Sequence, residues 1–274
     1  MKLNLRFLAR KPTLFGLGII VAMLVFVFLG PYFIHYQPLS RTGPPNSPPS
    51  VAHIFGTDYG GHDIASQVIY GAYPTLIVGL VAASVATLLG YFAGLFGGYY
   101  SRLQAPIYGI TDVILCIPGL VLLVLIGSMF VSSDIFVTIA LILILWPSVA
   151  RAVRAQIASV KKMAYIEATK TSGFSDSDVL WRIVAPEVGS IAFAYFVFNV
   201  SIAIVIVTAL EFLGVGNVGE VSWGSTLYFA QTYGFFTGDW WWVLAPGMMI
   251  ALTSTAFALI GFSVEEIMNP RLRI

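Results

Sequence analysis

YPTLIVGLVAASVATLLGYFAGLFGG, residues 73–98, is 26 residues long and contains no Asp, Glu, Lys or Arg. As a helix it rises about 39 Å, more than the roughly 30 Å of a bilayer's hydrocarbon core, and so reads as a membrane span. Five other stretches share its character: residues 13–34, 113–130, 135–150, 188–210 and 241–264. Apart from Thr, Ser, Asn and similar neutral groups they are apolar, as expected where a charge at the centre of a span costs about 2.5 to 3.5 kcal/mol. The stretch 135–150 is the shortest of the six. The first is too long for a signal peptide and lacks a small-residue cleavage site, so it counts as a true span. The composition agrees: 58% of the 274 residues are hydrophobic and 10% charged, with mean hydropathy +0.88, which argues against a water-soluble domain. The expected fold is an all-α integral membrane protein, one domain of six transmembrane helices.

Six spans put both termini on one side. Thirteen of the fourteen Lys and Arg fall on that side, namely Lys2, Arg6, Arg10, Lys11, Arg102, Arg151, Arg154, Lys161, Lys162, Lys170, Arg182, Arg271 and Arg273, leaving Arg41 alone on the other. The positive-inside rule then assigns residues 1–12, 151–187 and 265–274 to the cytoplasm, and residues 35–72 and 211–240 to the outside, with a tight external turn near 131–134. The expected location is the plasma or inner membrane.

No expected span contains an ionisable Asp, Glu, Lys or Arg, so a transported proton has no evident seat. Asp112 and Glu211 lie at span edges and read as solvated or headgroup-level ends. No lysine follows a glycine, so the phosphate-cradling G-x-x-x-x-G-K-[ST] loop is absent. H-E-x-x-H, G-x-S-x-G and paired intramembrane carboxylates are absent too, which disfavours a membrane-embedded enzyme. A net charge of +1 argues against a nucleic-acid surface. The only cysteine, Cys116, forms no intrachain disulfide and reads as a packing residue. Transport driven from outside the bilayer remains the leading reading, with a secondary transporter or channel as the alternative.

Residues 151–187 are more than antiparallel spans need as a connection. Ile157, Val160, Ala164 and Ala168 recur at helical spacing. Gly173 offers a helix stop, and Ser175 with Asp178 resembles a capping box, with Asp176 suited to a helix N-terminus. Val179, Leu180, Ile183 and Val184 form an apolar face, and Pro186 marks the return to the membrane. A helix, a glycine turn and a second short helix are expected.

The spacing of Glu167, Ala168, Gly173, Ile183 and Pro186 in EATKTSGFSDSDVLWRIVAP, residues 167–186, resembles the signature loop of ATP-binding-cassette importer permeases. Thr169 and Ala185 stand where that family commonly has Ala and Leu. FGTDYGGHDIASQVIYGA (55–72), FLGVG (212–216), SWG (222–224) and NPRLR (269–273) are similar to elements of the C-type permeases of dipeptide, oligopeptide and nickel importers. Gly56, Thr57, Asp58, Asp63, Gly214, Gly216 and Trp223 carry that external likeness, with His62 where Arg is usual. Glu211 directly precedes FLGVG, whereas the family's acidic residue lies farther upstream.

The resemblance implies the type I importer permease fold, with residues 167–186 presenting a coupling helix to a cytoplasmic ATPase. It also implies a second homologous permease, two ATP-binding subunits and an extracellular or periplasmic substrate-binding protein as partners. ATP and magnesium would be bound by those ATPases, with no cofactor, catalytic residue or metal on this chain. Peptides are the expected cargo, with oligosaccharides and nickel as alternatives.

Ala82, Ala86, Gly90, Gly94 and Gly98 form a small-residue ridge for close helix approach, within the subunit or across to a second permease. Pro118 and Pro147 are expected to kink their helices. Trp240, Trp241 and Trp242 suit a membrane interface. PLSRTGPPNSPPS, residues 38–50, reads as an extended spacer. His35, His53 and His62 match no compact metal motif and read as solvated-loop residues.

Overall fold

The computed structural model describes residues 11–129, 133–235 and 238–268. The expected NPRLR ending, most of the N-terminal segment 1–12 and most of the turn near residue 131 lie outside them. Among the described residues the structure is helical, without a named strand: α1 (Lys11–Phe33), α2 (Ile64–Tyr99), α3 (Ser101–Cys116), α4 (Gly119–Met129), α5 (Asp134–Val160), α6 (Ala164–Thr171), α7 (Asp176–Val179), α8 (Ala185–Phe212), α9 (Trp223–Phe229) and α10 (Trp240–Met268). Among the described residues five helical stretches are long and apolar enough to cross a membrane, and α3 with α4, bent by 80° at a short break, meets the same test as a pair. The bent pair breaks at Ile117 and Pro118, where the helical backbone gives way to an extended residue, φ −90° and ψ 129°. That backbone is what a residue before proline prefers. Pro147 sits inside α5, and the helix continues through it.

Several helices outrun the apolar stretches expected from sequence. α5 continues past Ala150 through Arg151 and Arg154 to Val160. These cations are accommodated by α3 beside the last turns of α5: Arg151 pairs with Asp112 at 2.9 Å and Arg154 stacks 3.9 Å from the Tyr108 ring. α3 likewise begins well before residue 113, because Arg102 and Asp112 lie exposed on an otherwise continuous helix. Asp112 is a solvated end, as expected, whereas Glu211 is 5% exposed. Cys116 is exposed rather than packed, since it sits at the break before Pro118.

The small-residue ridge faces α5 of the same chain. A Cβ on Gly94 would stand 2.7 Å from the Ala150 carbonyl oxygen, and one on Gly98 would stand 3.0 Å from Ile157. Close backbone approach of this kind is how helices associate in lipid, where apolar surfaces gain little by leaving the solvent. α8 joins α2 through the bond from the Asn199 amide to Thr87 Oγ1 at 3.3 Å, and joins α10 through that from Ser201 Oγ to the Ser254 carbonyl at 2.8 Å. α1 packs outside α10, with Gly16 against the Ala256 carbonyl. Large apolar side chains such as Phe15, Phe28, Leu88, Phe193 and Phe262 are exposed around the bundle. A hydrocarbon surround removes the penalty this would carry in water.

Candidate functional site

Two candidate regions lie at opposite ends of the long helices. At the Lys161 end, α5 closes at Val160 and α6 begins at Ala164. The single helix suggested by the spacing of Ile157, Val160, Ala164 and Ala168 is therefore two. Ile157 and Val160 are buried at the end of α5, whereas Ala164 and Ala168 lie exposed on α6. Their spacing of three or four continues across the intervening turn, which hides the break in the sequence.

Glu167 is exposed on α6, and Gly173 follows with φ 89°, a left-handed backbone that favours glycine. Ser175 Oγ accepts from the Asp178 backbone N–H at 3.1 Å and donates to the Asp178 carboxylate at 2.6 Å, and Arg182 Nε reaches that carboxylate at 3.2 Å. Asp176 lies in the same first turn, where acidic groups meet the positive end of the helix dipole. Val179, Leu180 and Val184 are buried against Leu95, Val153 and Ile157, with Ile183 partly buried beside them. This inner face fixes the loop to the bundle. The outer face presents Met163, Tyr165, Phe174 and Trp181, each more than a third exposed.

Pro186 lies in the first turn of α8, the long apolar helix that leads away from the loop. The chain is helical from Asp176 to Phe212, passing through a π-helical turn at Leu180–Val184. The Ala185 N–H bonds to the Leu180 carbonyl, five residues back, and Pro186 follows in the first turn of α8. A wider turn at this point lets the helix pass a residue that has no N–H to donate.

At the opposite end, Asp58 is 3% exposed and accepts from Gly60 N–H at 2.8 Å, His62 N–H at 2.9 Å, His62 Nδ1 at 2.8 Å and Gln67 Nε2 at 2.7 Å. Asp63 caps α2 by accepting from Ser66 N–H and Ser66 Oγ, both at 2.8 Å, and also accepts from His53 Nδ1 at 2.8 Å. Thr57 Oγ1 donates to the Pro44 carbonyl at 2.6 Å and accepts from Ser47 N–H at 2.9 Å. Gly56 has φ 75°, and a Cβ there would meet the Ser47 carbonyl and the Trp241 ring.

The proline-rich segment 38–50 is thus pinned into a knot by these groups, and the Asn46 N–H to Asp58 carbonyl bond, 2.9 Å, adds to it. His53 is buried, contrary to the solvated-loop reading, because the turn through Gly56 brings it onto Asp63. The Tyr59 ring stacks 4.2 Å from Tyr233. Burial pushes the Tyr59 phenol pKa up, with Tyr233 and Asp58 adding to the effect.

Trp223 Nε1 donates to the Val68 carbonyl at 2.8 Å, and its backbone N–H bonds Thr75 Oγ1 at 3.2 Å, which locks α9 onto α2. Gly214 and Gly216, φ 79° and 118°, turn the chain between α8 and α9. The Glu211 carboxylate accepts from Ser222 Oγ at 2.6 Å. A cavity of about 630 Å³ opens between α2 and α5 at this end, with Ile77, Val81 and Ile139 along its wall and Asp134 and Glu220 at its rim. Gln67 and Tyr99 were not singled out from sequence, and His53, Lys161 and Ser222 were read there only as a loop histidine, a cytoplasmic cation and part of a family-like element. Their partners are remote in the chain or reached through turns, so no local spacing announces them.

The helical bundle, with its apolar exterior, a helical loop exposed at one end and a hydrogen-bonded segment at the other, has the form of a multi-pass membrane protein. Residues 86–274 match the family described as binding-protein-dependent transport system inner membrane component, and the chain belongs to that family as a permease of the ATP-binding-cassette importers. Relatives include the dipeptide transport system permease protein DppC of Bacillus subtilis (strain 168), 29% identical over 96% of this chain and 84% of that protein. The oligopeptide transport system permease protein OppC of the same organism is 28% identical over 98% and 88%. The glutathione transport system permease protein GsiD of Pectobacterium atrosepticum is 28% identical, also over 98% and 88%.

Proposed function

We propose that this permease forms half of a peptide-translocating path with a second homologous permease, and that α6, Gly173 and α7 dock on one of two cytoplasmic ATPase subunits. An extracellular or periplasmic binding protein delivers the cargo to the opposite end. ATP and magnesium belong to the ATPases. Peptide as the substrate class is supported by the relatives, which are named as dipeptide, oligopeptide and glutathione transport permeases. The observation that carries the coupling reading is the turn at Gly173. It has a left-handed backbone, open space around it, and an inner face anchored in the core while the outer face offers Tyr165 and Phe174 to a partner.

In the assembled, reconstituted transporter, Gly173→Val is expected to lower receptor-stimulated transport at least about tenfold, since a β-branched residue in this backbone region is strained by more than about 1 kcal/mol. Unchanged transport in this variant would sink the coupling assignment. Peptide binding by the cognate receptor tests the cargo. A receptor that bound sugars and ignored peptides would overturn that part.

Charge asymmetry supports a cytoplasmic Lys161 end. With Cys116 replaced by Ser, a membrane-impermeant maleimide applied to intact cells is expected to label Val51→Cys, whose parent residue is fully exposed, and to label Arg102→Cys only after permeabilisation. The opposite labelling pattern would reverse the orientation.

A further inference from the structure

The last residue of α2, Tyr99, is 6% exposed and stands where three helices end. Its Oη donates to Asp176 Oδ1 at 3.2 Å, at the start of α7. Its carbonyl accepts from Lys161 Nζ at 2.9 Å, just beyond α5, and the same ammonium lies 5.1 Å from the centre of its ring. We propose that Tyr99 is a positioning residue that passes displacement of the ATPase-docking loop to α2. This rests on the coupling reading above and adds a route to it.

The physical need for such a residue follows from connectivity. The loop is covalently continuous with α5 and α8, so its movement reaches those helices through the backbone. α2 has no covalent bond to the loop. Packing of α2 against α5 along Gly90, Gly94 and Gly98 couples the two laterally, and at the loop the Tyr99 hydroxyl ties α2 to the start of α7, with Tyr91 Oη on the Ala185 carbonyl at 2.9 Å tying it to the start of α8. α2 is 36 residues long, about 54 Å as a helix, and its other end is held by the Asp63 cap and by Trp223 on the Val68 carbonyl. A pull on Tyr99 therefore reaches the knot and α9 along one continuous helix. Lys161 holds the Tyr99 backbone and ring in place, so that the hydroxyl stays aimed at Asp176.

Tyr99→Phe removes the hydroxyl and keeps the ring, the carbonyl and both Lys161 contacts. In the complete transporter reconstituted with its ATPases, receptor and peptide, two quantities are read: substrate moved per ATP hydrolysed, and receptor-stimulated over unstimulated ATPase. Loss of one hydrogen bond to a carboxylate is expected to lower the first ratio about fivefold. Asp176→Asn keeps an acceptor oxygen and should stay close to the parent, whereas Asp176→Ala should match Tyr99→Phe and add nothing to it in the double variant. A merely structural role would reduce transport and ATPase in proportion and leave the ratio unchanged, and that result would overturn the proposal. Gly173→Val serves as the separating arm. If it lowers the ratio while Tyr99→Phe does not, the Tyr99 route alone fails. If it leaves receptor-stimulated transport itself unchanged, the docking loop is misassigned.

Discussion

Gly94→Ala is expected to lower the thermal midpoint of the detergent-solubilised subunit by roughly 5 to 10 °C, while the same change at Gly109 leaves it level or slightly raised. Both are helical glycines gaining one methyl group, so helix propensity favours both variants equally. What differs is the space. The new Cβ at position 94 would lie 2.7 Å from the Ala150 carbonyl oxygen and 2.7 Å from the Val153 Cβ, whereas nothing lies within 4 Å at Gly109. Neither neighbour of Gly94 is the free end of a flexible chain, so α2 and α5 must part. Overpacking of this sort typically costs about 1 to 3 kcal/mol. Parting the helices also loosens the flanking contacts of Gly90 and Gly98, which lie on the same ridge. Equal midpoint shifts at positions 94 and 109 would refute the ridge as the α2–α5 seam.

Asp58→Ala is expected to open the knot without unfolding the spans. The carboxylate serves two backbone N–H groups, one imidazole and one side-chain amide, and the alanine variant leaves these donors without their acceptor. Even with water entering to replace part of the lost bonding, a cost of about 3 kcal/mol is reasonable for a buried acceptor of several bonds. Hydrogen exchange reads this directly. Amides of Asn46, Gly60 and His62 should exchange about 100-fold faster, with those in the middle of α2 little changed. Asp58→Asn, which retains one carbonyl oxygen, should fall between the two. Protection unchanged in the alanine variant would show that Asp58 does not hold the segment.

The spans were legible because lipid imposes one simple demand, length without charge, and runs such as 73–98 and 188–210 meet it openly. Their ends were less legible. Arg102, Arg151 and Arg154 interrupt the hydropathy pattern but not the helices, since Asp112 and Tyr108 receive two of these cations beside the helix ends. The loop's glycine turn and its Ser175 start could be anticipated from local chemistry. The break before Ala164 could not, because residues 157, 160, 164 and 168 keep a helical spacing across it. The helical continuity before Pro186 was hidden for a related reason: proline forbids one hydrogen bond, and the wide turn before it removes the need for that bond. At the other end, Asp58 and Asp63 were visible only through family likeness. Their partners His53, His62 and Gln67 are brought together by left-handed turns at Gly56 and Gly61, whose path no periodicity encodes.

The π-helical turn at Leu180–Val184 also sets an angular phase. Each residue advances an α-helix by about 100°, so an extra residue in one turn rotates everything before it by about that angle relative to everything after it. α8 must direct one stripe towards α2 and α10 across the bilayer, while α7 must direct Val179 inward and Asp176 towards Tyr99. A uniform helix would have to satisfy both with a single periodicity. The inserted residue frees the two faces from each other, so that the loop surface proposed to dock the ATPase and the surface packed in the bundle can each be tuned without turning the other out of alignment.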